Sequence, residues 1–484
     1  EWKLDLMASK VFQNLTFDKG KTVKEVYRIL NRCMAEEKTV RISRKAMLEN
    51  SIAKAKQNNK ELLMAMEEIK KADESYKQVR GSAYPQLNLQ GAYGLSKTYY
   101  PDSAIPSKMD ISAGLDDSPT NNEEYLAGVI NSVVNSMIPT SPAEAGSFSM
   151  QLQMNQIVYS GGKLGSGIKA GNYYRQLQRI NYKIIEQNVV LKTTELFYQC
   201  LLAQKLWEVQ EDGLQIARRH LERVELFNQE GQVSEFDLLQ ARLGVAKLEP
   251  QVLKAKNDYD IAVSAFRKQI GEEDSDIVPE GEFVLPERIE ITLEDATEQA
   301  LKQRNEIELI GISTQMKELQ YKVEKINYLP NVALSADYSL YTSADEYAIQ
   351  NDDFGHKYGI SLGFQMPIFT GLTNTAKRDY ARYDYQKAKL QQRDTEELIA
   401  LQIKQDYQKY YHAWENHNVQ TQNIHLAERG LQLAQVRYDN HVGIQLEVFD
   451  AQLTLQTIKL QYYQSIYEII SADRNLKKSI GIAL

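Results

Sequence analysis

Two acidic side chains near the end of the chain are spaced to lie on one face of a helix. Glu447 and Asp450 are three residues apart, and residues three apart are neighbours on the surface of an α-helix. Carboxylates held close together attract cations, and this is the only chemistry that the spacing suggests by itself. The alternative is an ordinary solvated helix surface, where acidic residues usually lie.

Other residues that could do chemistry lack the required spacing. The glycines from Gly161 to Gly171 have no Gly-Lys-Ser/Thr ending, so a turn after a strand is a better interpretation than a phosphate loop. Cys33 and Cys200 show no Cys-x-x-Cys pattern and are interpreted as unpaired thiols. No nucleophile lies in a pattern with a base. Three histidines on one predicted helix have no metal-ligand spacing: His412, His417 and His425. We therefore predict no enzyme, no metal and no cofactor.

The composition limits the class of protein. The 484 residues are 43% apolar and 25% charged, as in ordinary folded proteins. A net charge of −8 lacks the basic excess of nucleic-acid-binding proteins. No run of 18 apolar residues exists, so no membrane-spanning helix is predicted. The chain begins Glu1-Trp2-Lys3, without an apolar signal core, so we expect either a removed signal peptide or a trimmed end.

The chain repeats itself once. Tyr76 recurs as Tyr321, 245 residues later, and Tyr159-Ser160-Gly161 recurs as Phe369-Thr370-Gly371, 210 residues later. We predict a first repeat over residues 41–271 and a second over 291–484. A linker covers 272–290, and residues 1–40 have no second copy. The change of offset places extra chain in the first repeat, which predicts a long surface loop at residues 97–147.

Four segments alternate apolar and polar residues with the period of a β-strand. They are predicted at about residues 85–96, 148–158, 330–341 and 358–368. In the second, the apolar set is Phe148, Met150, Leu152 and Met154, and the polar set is Ser149, Gln151, Gln153 and Asn155. A tilted strand of about ten residues can cross a bilayer. A half-buried sheet in a soluble protein would show the same pattern.

Four strands have a further consequence if their apolar face meets lipid. They cannot close a barrel alone, because about eight strands is the practical minimum. An open sheet edge in hydrocarbon leaves backbone groups unpaired at a cost of several kcal/mol each. Several chains would then have to share one barrel.

Two segments predict helices far longer than those of globular domains. Residues 163–229 contain no proline, and the counterpart covers about 373–440. Each is followed by a shorter helix, at about 236–270 and 446–480. A helix of this length spans about 100 Å at 1.5 Å per residue. Antiparallel hairpins this long indicate coiled-coil packing.

Short motifs at the ends of these elements resemble those of the TolC-like outer-membrane factors. The second strand of each repeat runs into its long helix through Tyr159-Ser160-Gly161-Gly162-Lys163 or Phe369-Thr370-Gly371. The turns between helices also resemble that family, from Gly231 to Ala241 in the first repeat and from Glu447 to Gln452 in the second. The resemblance covers about Ile42 to Leu484. Gly443 lies two positions later than the family's usual glycine.

The resemblance implies a mainly α-helical protomer with a membrane β-barrel part. Three chains would form a homotrimer with twelve strands in one barrel, in contact with outer-membrane lipid. The long hairpins would form a coiled-coil tunnel in the periplasm of a Gram-negative bacterium. The implied partners are a periplasmic adaptor (membrane fusion) protein and an inner-membrane RND or ABC transporter.

The resemblance also implies roles for individual residues. Glu447 and Asp450 match the paired acids at the narrow tunnel entrance, and three chains would place six carboxylates around one axis. Asp237 and Tyr438 match positions that bond to each other and hold the tip closed. The turn residues are Gly161, Gly162 and Gly371 at the strand–helix junctions, and Gly231 and Gly443 at the tip.

The predicted loop contains an apolar run from Leu126 to Val134. An apolar run does not stay in water, so we hypothesise that the loop folds over or into the barrel mouth. Packing on neighbouring loops is the alternative.

These features together predict a passive exit channel of a tripartite efflux or type I secretion system. The alternative is a soluble periplasmic coiled-coil scaffold, whose alternating sheet would pack on its own helices.

Overall fold

The computed structural model describes residues 45–46, 48–101, 103, 105–115, 118–138, 143–273, 275–344, 354–440 and 442–482. The predicted N-terminal segment 1–40, with Cys33, lies outside these residues. The described chain divides into two compact units. The helical unit comprises the chain up to Lys71, Gln176–Thr314 and the chain from Ala388 onward. The sheet unit comprises Ala72–Arg175 and Gln315–Lys387.

The first half of the chain contains short helices and strands followed by one very long helix. They are β1 (Lys45–Ala46), α1 (Leu48–Asn58), α2 (Lys60–Gly81), β2 (Gln86–Thr98), a 3₁₀ turn (Ile111–Gly114), α3 (Asn121–Ser136), β3 (Ala143–Tyr159), α4 (Lys163–Gln229) and α5 (Glu235–Gln269). The continuous helix α4 is 67 residues long.

The second half repeats this order. It contains β4 (Val278–Pro279), α6 (Leu293–Gln303), α7 (Asn305–Lys325), β5 (Asn331–Ala344), β6 (Gly355–Gln365), α8 (Thr373–Asp439) and α9 (Gln445–Ile480). Helix α8 also has 67 residues, and it begins and ends 210 residues after α4. The prediction of a mainly helical protomer with long hairpins and four strands is confirmed.

The helical unit contains two cores in which equivalent residues of the repeat occupy equivalent places. One surrounds Phe266 and Ile270 of α5, and the other surrounds Leu476 and Ile480 of α9. Further members of the two cores correspond in the same way: Val189 to Ile399, Cys200 to Tyr410, and Ala55 to Ala300. Both cores remove these apolar side chains from water, and this burial is the main contribution to the stability of each core. Among the described helices, none is both long and apolar enough to cross a bilayer.

The sheet unit is built on one antiparallel sheet with the strand order β2-β3-β5-β6. The two repeats therefore meet where β3 pairs with β5. The register aligns one apolar residue from each strand in a row across the sheet, Leu89, Leu152, Tyr338 and Tyr358. The neighbouring row is polar, with Asn88, Gln153, Asp337 and Gly359. One face is thus apolar and the other polar.

The apolar face lies open. Tyr358 is 85% exposed, Ile360 80% and Phe364 79%, although all three belong to the apolar set of β6. The outer strands β2 and β6 each pair on one side only among the described strands. A soluble half-buried sheet would cover such side chains with helices, so this face is built for an apolar environment.

The strand ends differ from the predicted ones. Strand β3 begins at Ala143 instead of residue 148, because its ladder with β2 continues to the pair Thr98 and Ala143. Small residues there weaken the apolar alternation that marked the rest of the strand. Strand β6 covers 355–365 instead of 358–368. Pro367 explains the early end, because proline has no N–H to donate and restricts the residue before it.

The predicted loop 97–147 is also more ordered than a plain loop. It contains α3, which begins with a capping box in which the Thr120 hydroxyl and the Glu123 side chain exchange bonds with each other's backbone N–H. The Thr-x-x-Glu signature precedes the apolar run and marks a helix start.

The turns that join β3 to α4 and β6 to α8 use left-handed backbone. Gly161 and Gly162 have φ of 62° and 88°, and Gly371 and Leu372 have φ of 58° and 64°. Glycine adopts this conformation freely, whereas Leu372 is strained. At Gly161 a Cβ atom would also lie 2.7 Å from Cβ of Leu329, whereas at Gly371 it would meet nothing within 4 Å.

This pair of glycines allows a matched test. Gly371→Ala should cost about 1–2 kcal/mol, the penalty for a left-handed alanine. Gly161→Ala should cost about 1–3 kcal/mol more, because Leu329 must also move. Thermal unfolding of the two variants in detergent measures the difference. Equal midpoints would contradict the close packing of Gly161 on Leu329.

Candidate functional site

The candidate site is the tip, which we define as the turn between α4 and α5 with the turn between α8 and α9. In the first turn, Gly231 has φ of 72° and ends α4. The N–H of Gln232 donates to the carbonyl of Phe227 at 2.8 Å, which satisfies one of the last carbonyls of the helix. Gly231 thus ends α4 in a left-handed conformation that glycine adopts freely.

The start of α5 explains the position of Asp237. Ser234 caps the helix, and its hydroxyl donates to Oδ2 of Asp237 at 2.6 Å. The N–H of Asp237 donates back to the Ser234 hydroxyl at 3.2 Å. Asp237 is exposed, and the N–H and the hydroxyl of Ser234 both donate to its Oδ2. The residue is thus first of all the closing member of a capping box.

The second turn is built differently. Ile444 occupies the position equivalent to Ser234, and it makes no side-chain cap. Glu447, the equivalent of Asp237, is therefore free from capping and lies with Oε2 at 3.5 Å from Nε of Arg437. Arg437 and Glu447 belong to different helices and form an exposed ion pair across the turn.

Gly443 is explained by this ion pair. It does not share the left-handed conformation of Gly231. A Cβ atom on Gly443 would lie 3.0 Å from Oε2 of Glu447 and 3.1 Å from Cβ of Arg437. The N–H groups of Val442 and Gly443 both donate to the carbonyl of Arg437, at 2.9 and 3.1 Å. The later position of this glycine makes room for the two charged side chains.

Phe449 sets the rotation of α9. Its ring stacks on His220 of α4 with the ring centres 6.1 Å apart, and it approaches Gly244 of α5, where a Cβ would lie 3.1 Å from the ring. At 100° per residue, residue 447 lies 160° from residue 449 around the helix and residue 450 lies 100° from it. The contacts of Phe449 with the first hairpin therefore leave Glu447 and Asp450 away from the packed side of α9, and both are exposed.

The hairpins are joined at the tip by polar and apolar contacts. Nε2 of Gln445 lies 2.8 Å from Nδ1 of His220, and Gln456 donates to Oε1 of Gln210 at 2.8 Å. A small apolar core lies beneath these contacts and consists of Leu214, Ala217, Val245 and Leu248, with Leu453 of α9 against it. The second hairpin is thus fixed on the first within one chain.

The predicted site residues are only partly brought together. Glu447 and Asp450 share one exposed face of α9. Tyr438 is half-buried near the end of α8. Among the described residues, no hydrogen bond joins Asp237 to Tyr438. The sequence analysis did not predict Arg437, His220 or Phe449 as site residues. For Arg437 a signal was present, because it lies ten residues before Glu447 on the other side of a predicted turn.

Burial sets the chemistry of two titratable groups, His220 at the tip and Cys200 in the core around Phe266. The pKa of His220 is lowered by burial and further by the charge of Arg223. The neutral ring can accept a hydrogen bond from the Gln445 amide at Nδ1, whereas a protonated ring cannot. Burial also raises the pKa of Cys200 to about 12, which keeps this thiol unreactive. No group of histidine, cysteine and acidic residues in the described chain can hold a metal ion.

Known proteins resemble the chain over nearly its full length. The family described as "Outer membrane efflux protein" matches residues 51–272 and 296–482. Outer membrane protein TolC of Salmonella enteritidis is 20% identical over 342 residues, which are 69% of each protein.

Solved structures share the fold. A structure of CusC, described with its transmembrane channel formation, has a TM-score of 0.72 and 16% identity and covers 91% of this chain and 93% of its own. The outer membrane protein VceC of Vibrio cholerae has a TM-score of 0.66 and 17% identity, covering 90% and 96%. The CmeC outer membrane channel of Campylobacter jejuni has a TM-score of 0.70 and 16% identity, covering 90% and 85%.

The histidine at the tip gives a pH test. Because its folded pKa lies below the 6.5 of an unburied histidine, His220 stabilises the fold above that pH and loses its contribution as pH falls through the folded pKa. The midpoint temperature of thermal unfolding should therefore decrease when the pH is lowered from 7.5 to 5.5. His220→Gln should make this decrease smaller. His417, whose pKa is also lowered by burial, contributes in the same direction and remains.

The matched control is His425→Gln, since His425 is well exposed on the same type of long helix. It should leave the pH dependence as in the parent. An equal effect of both substitutions would refute a special role for the buried ring.

Proposed function

Since the chain belongs to the outer membrane efflux protein family, we propose that three copies form the exit duct of a tripartite efflux or type I secretion system. The family places the chain in the outer membrane of a Gram-negative bacterium as a passive efflux channel, and not as an enzyme. The alternative prediction, a soluble periplasmic scaffold, is not consistent with membership of a family of outer-membrane channels. The finer assignment to a trimer with adaptor and pump is the proposal.

The exposed apolar face of the sheet is the observation that carries the proposal. In a bilayer this face can meet lipid directly, but the open edges of β2 and β6 cannot. Further copies of the chain that pair β6 with the next β2 would satisfy both edges. Three copies supply twelve strands, which is above the minimum of about eight for a closed barrel.

The tip supports the choice of partners. Apolar side chains are exposed around both turns, with Phe236 and Leu239 on α5 and Val442, Ile444 and Leu446 at the start of α9. Such exposed patches on a folded protein mark interaction surfaces. We assign them to the helical hairpins of a periplasmic adaptor, which would connect the duct to an inner-membrane RND or ABC transporter.

Glu447 and Asp450 are proposed as the entrance selectivity ring. The outward rotation that Phe449 imposes on α9 leaves both carboxylates available to an axis between copies. Arg437 partly neutralises each Glu447, so the ring carries less negative charge than six isolated carboxylates would. Cations would enter more easily than anions, and the preference would weaken in high salt.

Planar bilayer recordings of the detergent-extracted protein test the duct and its ring together. The extracted parent protein should have the mass of three chains. In the bilayer it should conduct cations in preference to anions. Glu447→Gln with Asp450→Asn should keep the conductance and lower the cation-to-anion permeability ratio several-fold, because the charge that attracts cations is removed. Arg437→Gln should raise that ratio.

The control is Glu235→Gln, which removes an exposed acid from the start of α5. It should leave selectivity unchanged. A protein without trimer or conductance would reject the duct, whereas a conducting trimer with unchanged selectivity in the double variant would reject the ring alone.

Tyr438 is proposed to tie the tip closed through Asp237. The capping bonds of Asp237 use Oδ2, which leaves acceptor capacity at Oδ1 for a phenol. A phenol that donates to a carboxylate makes a strong, charge-assisted bond. The bond would form when the copies assemble or the tip closes.

Tyr438→Phe should therefore raise the resting conductance in planar bilayers, because it removes the phenol and keeps the helix cap intact. Tyr383→Phe, at an exposed tyrosine of the same helix, is the control. A resting conductance like that of the parent would show that Tyr438 does not hold the tip.

A further inference from the structure

Helix α3, in the segment between β2 and β3, is fixed to its own chain by one side. Asn135 exchanges two bonds with the backbone of Met109, at 2.7 and 2.8 Å. Asn131 accepts from the N–H of Ile111 at 2.8 Å and donates to Asp110 at 3.0 Å. The Ser112 N–H also bonds to Asp110, and these bonds hold the pKa of that carboxyl below its usual value. The side of the helix that carries Asn131 and Asn135 is therefore bonded to the preceding segment of the same chain.

The other side of α3 is an exposed apolar stripe. It consists of Tyr125, Leu126, Val129, Ile130, Val133 and Met137. Tyr125 is 74% exposed, Leu126 59% and Val133 50%, so the stripe has no cover within the described chain. At 100° per residue these six positions fall within one continuous arc of about 140°. A helix that bonds its polar side and exposes its apolar side requires a partner.

The spacing of the stripe matches a helix–helix contact. Leu126, Val129, Val133 and Met137 follow one another at three- and four-residue steps, as in a coiled-coil seam. Gly128 and Ser132 leave a hollow bordered by Tyr125, Val129 and Val133. Such a hollow accepts a single side chain from another helix, as a knob enters a hole.

The charge of α3 disfavours a membrane surface as the partner. The helix contains no lysine, arginine or histidine and begins with Glu123 and Glu124. Helices that lie on membranes carry basic residues on the polar face for the anionic headgroups. Here the polar face is acidic at its start and bonded to the chain at its end, so an uncharged protein surface fits better.

We propose that the stripes of the three copies pack on one another around the axis of the barrel and form a helical plug in its outer mouth. This inference rests on the proposed trimer, in which rotation brings three identical stripes to one axis. Six residues separate Ser136 from Ala143, the start of β3. They reach at most about 20 Å. A twelve-stranded barrel has a radius of about 12 Å, from strands about 4.8 Å apart and tilted by about 40°. The tether is long enough for α3 to reach the axis.

Cysteine crosslinking in the assembled protein tests the plug. Val133→Cys is combined with Cys33→Ser, while the buried Cys200 is left in place. Mild oxidation should produce crosslinked dimers between copies of the full-length chain. Glu124→Cys is the matched control, because residue 124 is exposed and lies 180° from residue 133 around the helix. The dimer fraction for Val133→Cys should exceed that of the control several-fold.

Conductance gives a second readout. Val133→Asp would place three carboxylates at the axis, and their repulsion should open the mouth and raise the resting conductance several-fold. A conducting trimer that crosslinks neither at Val133→Cys nor at Leu126→Cys would overturn the plug and leave the duct intact. A spin label at residue 133 that is relaxed by lipid-soluble oxygen would also overturn it, in favour of lipid contact. Loss of the trimer itself in the parent would instead overturn the proposed function.

Discussion

The unpaired backbone at the two outer strands is the constraint on which the rest of the structure depends. Strands β2 and β6 end the sheet with open edges, and the apolar face between them is exposed. The apolar face is stable in contact with lipid, but the open edges are not, because no water is present in the bilayer to pair the free N–H and C=O groups. A single chain is thus an incomplete unit of an outer-membrane channel. In the proposed assembly, identical copies that continue the sheet would complete it without any change to the strands.

The repeat supplies two similar halves that differ where function would need a difference. The cores around Phe266 and Leu476 are equivalent, so both long hairpins are stabilised in the same way. At the tip the copies diverge. Ser234 uses Asp237 as a cap, whereas Ile444 cannot use Glu447. The loss of one cap, worth about 1 kcal/mol, releases a carboxylate for other contacts.

Small residues decide several close approaches in this molecule. Gly244 admits the ring of Phe449, and Gly443 leaves room for Arg437 beside Glu447. Gly161 lies against Leu329 at the strand–helix junction. Gly244 and Gly443 have ordinary backbone conformations, so these glycines are needed for the space that a side chain would fill and not for their conformational freedom. Gly161 serves both, and Leu372 shows that the second junction tolerates a strained residue whose side chain is exposed.

The sequence by itself determined the elements of this protein and their order. Alternation over residues such as Phe148 to Asn155 predicted the strands, and the absence of proline from residues 163–229 predicted a helix with the same bounds as α4. These are local properties, because the side-chain period of a strand or helix is written in neighbouring residues. Helix α3 was also marked locally, by Thr120 and Glu123, although its apolar run was predicted as part of a loop.

Only the tertiary structure decided which side chains meet. Arg437 pairs with Glu447 because a turn folds α9 back on α8, and Phe449 turns α9 because His220 and Gly244 of the other hairpin receive its ring. The stripe of α3 is open because Asn131 and Asn135 bind the preceding segment with the opposite side. Contacts between residues far apart in the chain depend on packing, which local periodicity does not encode.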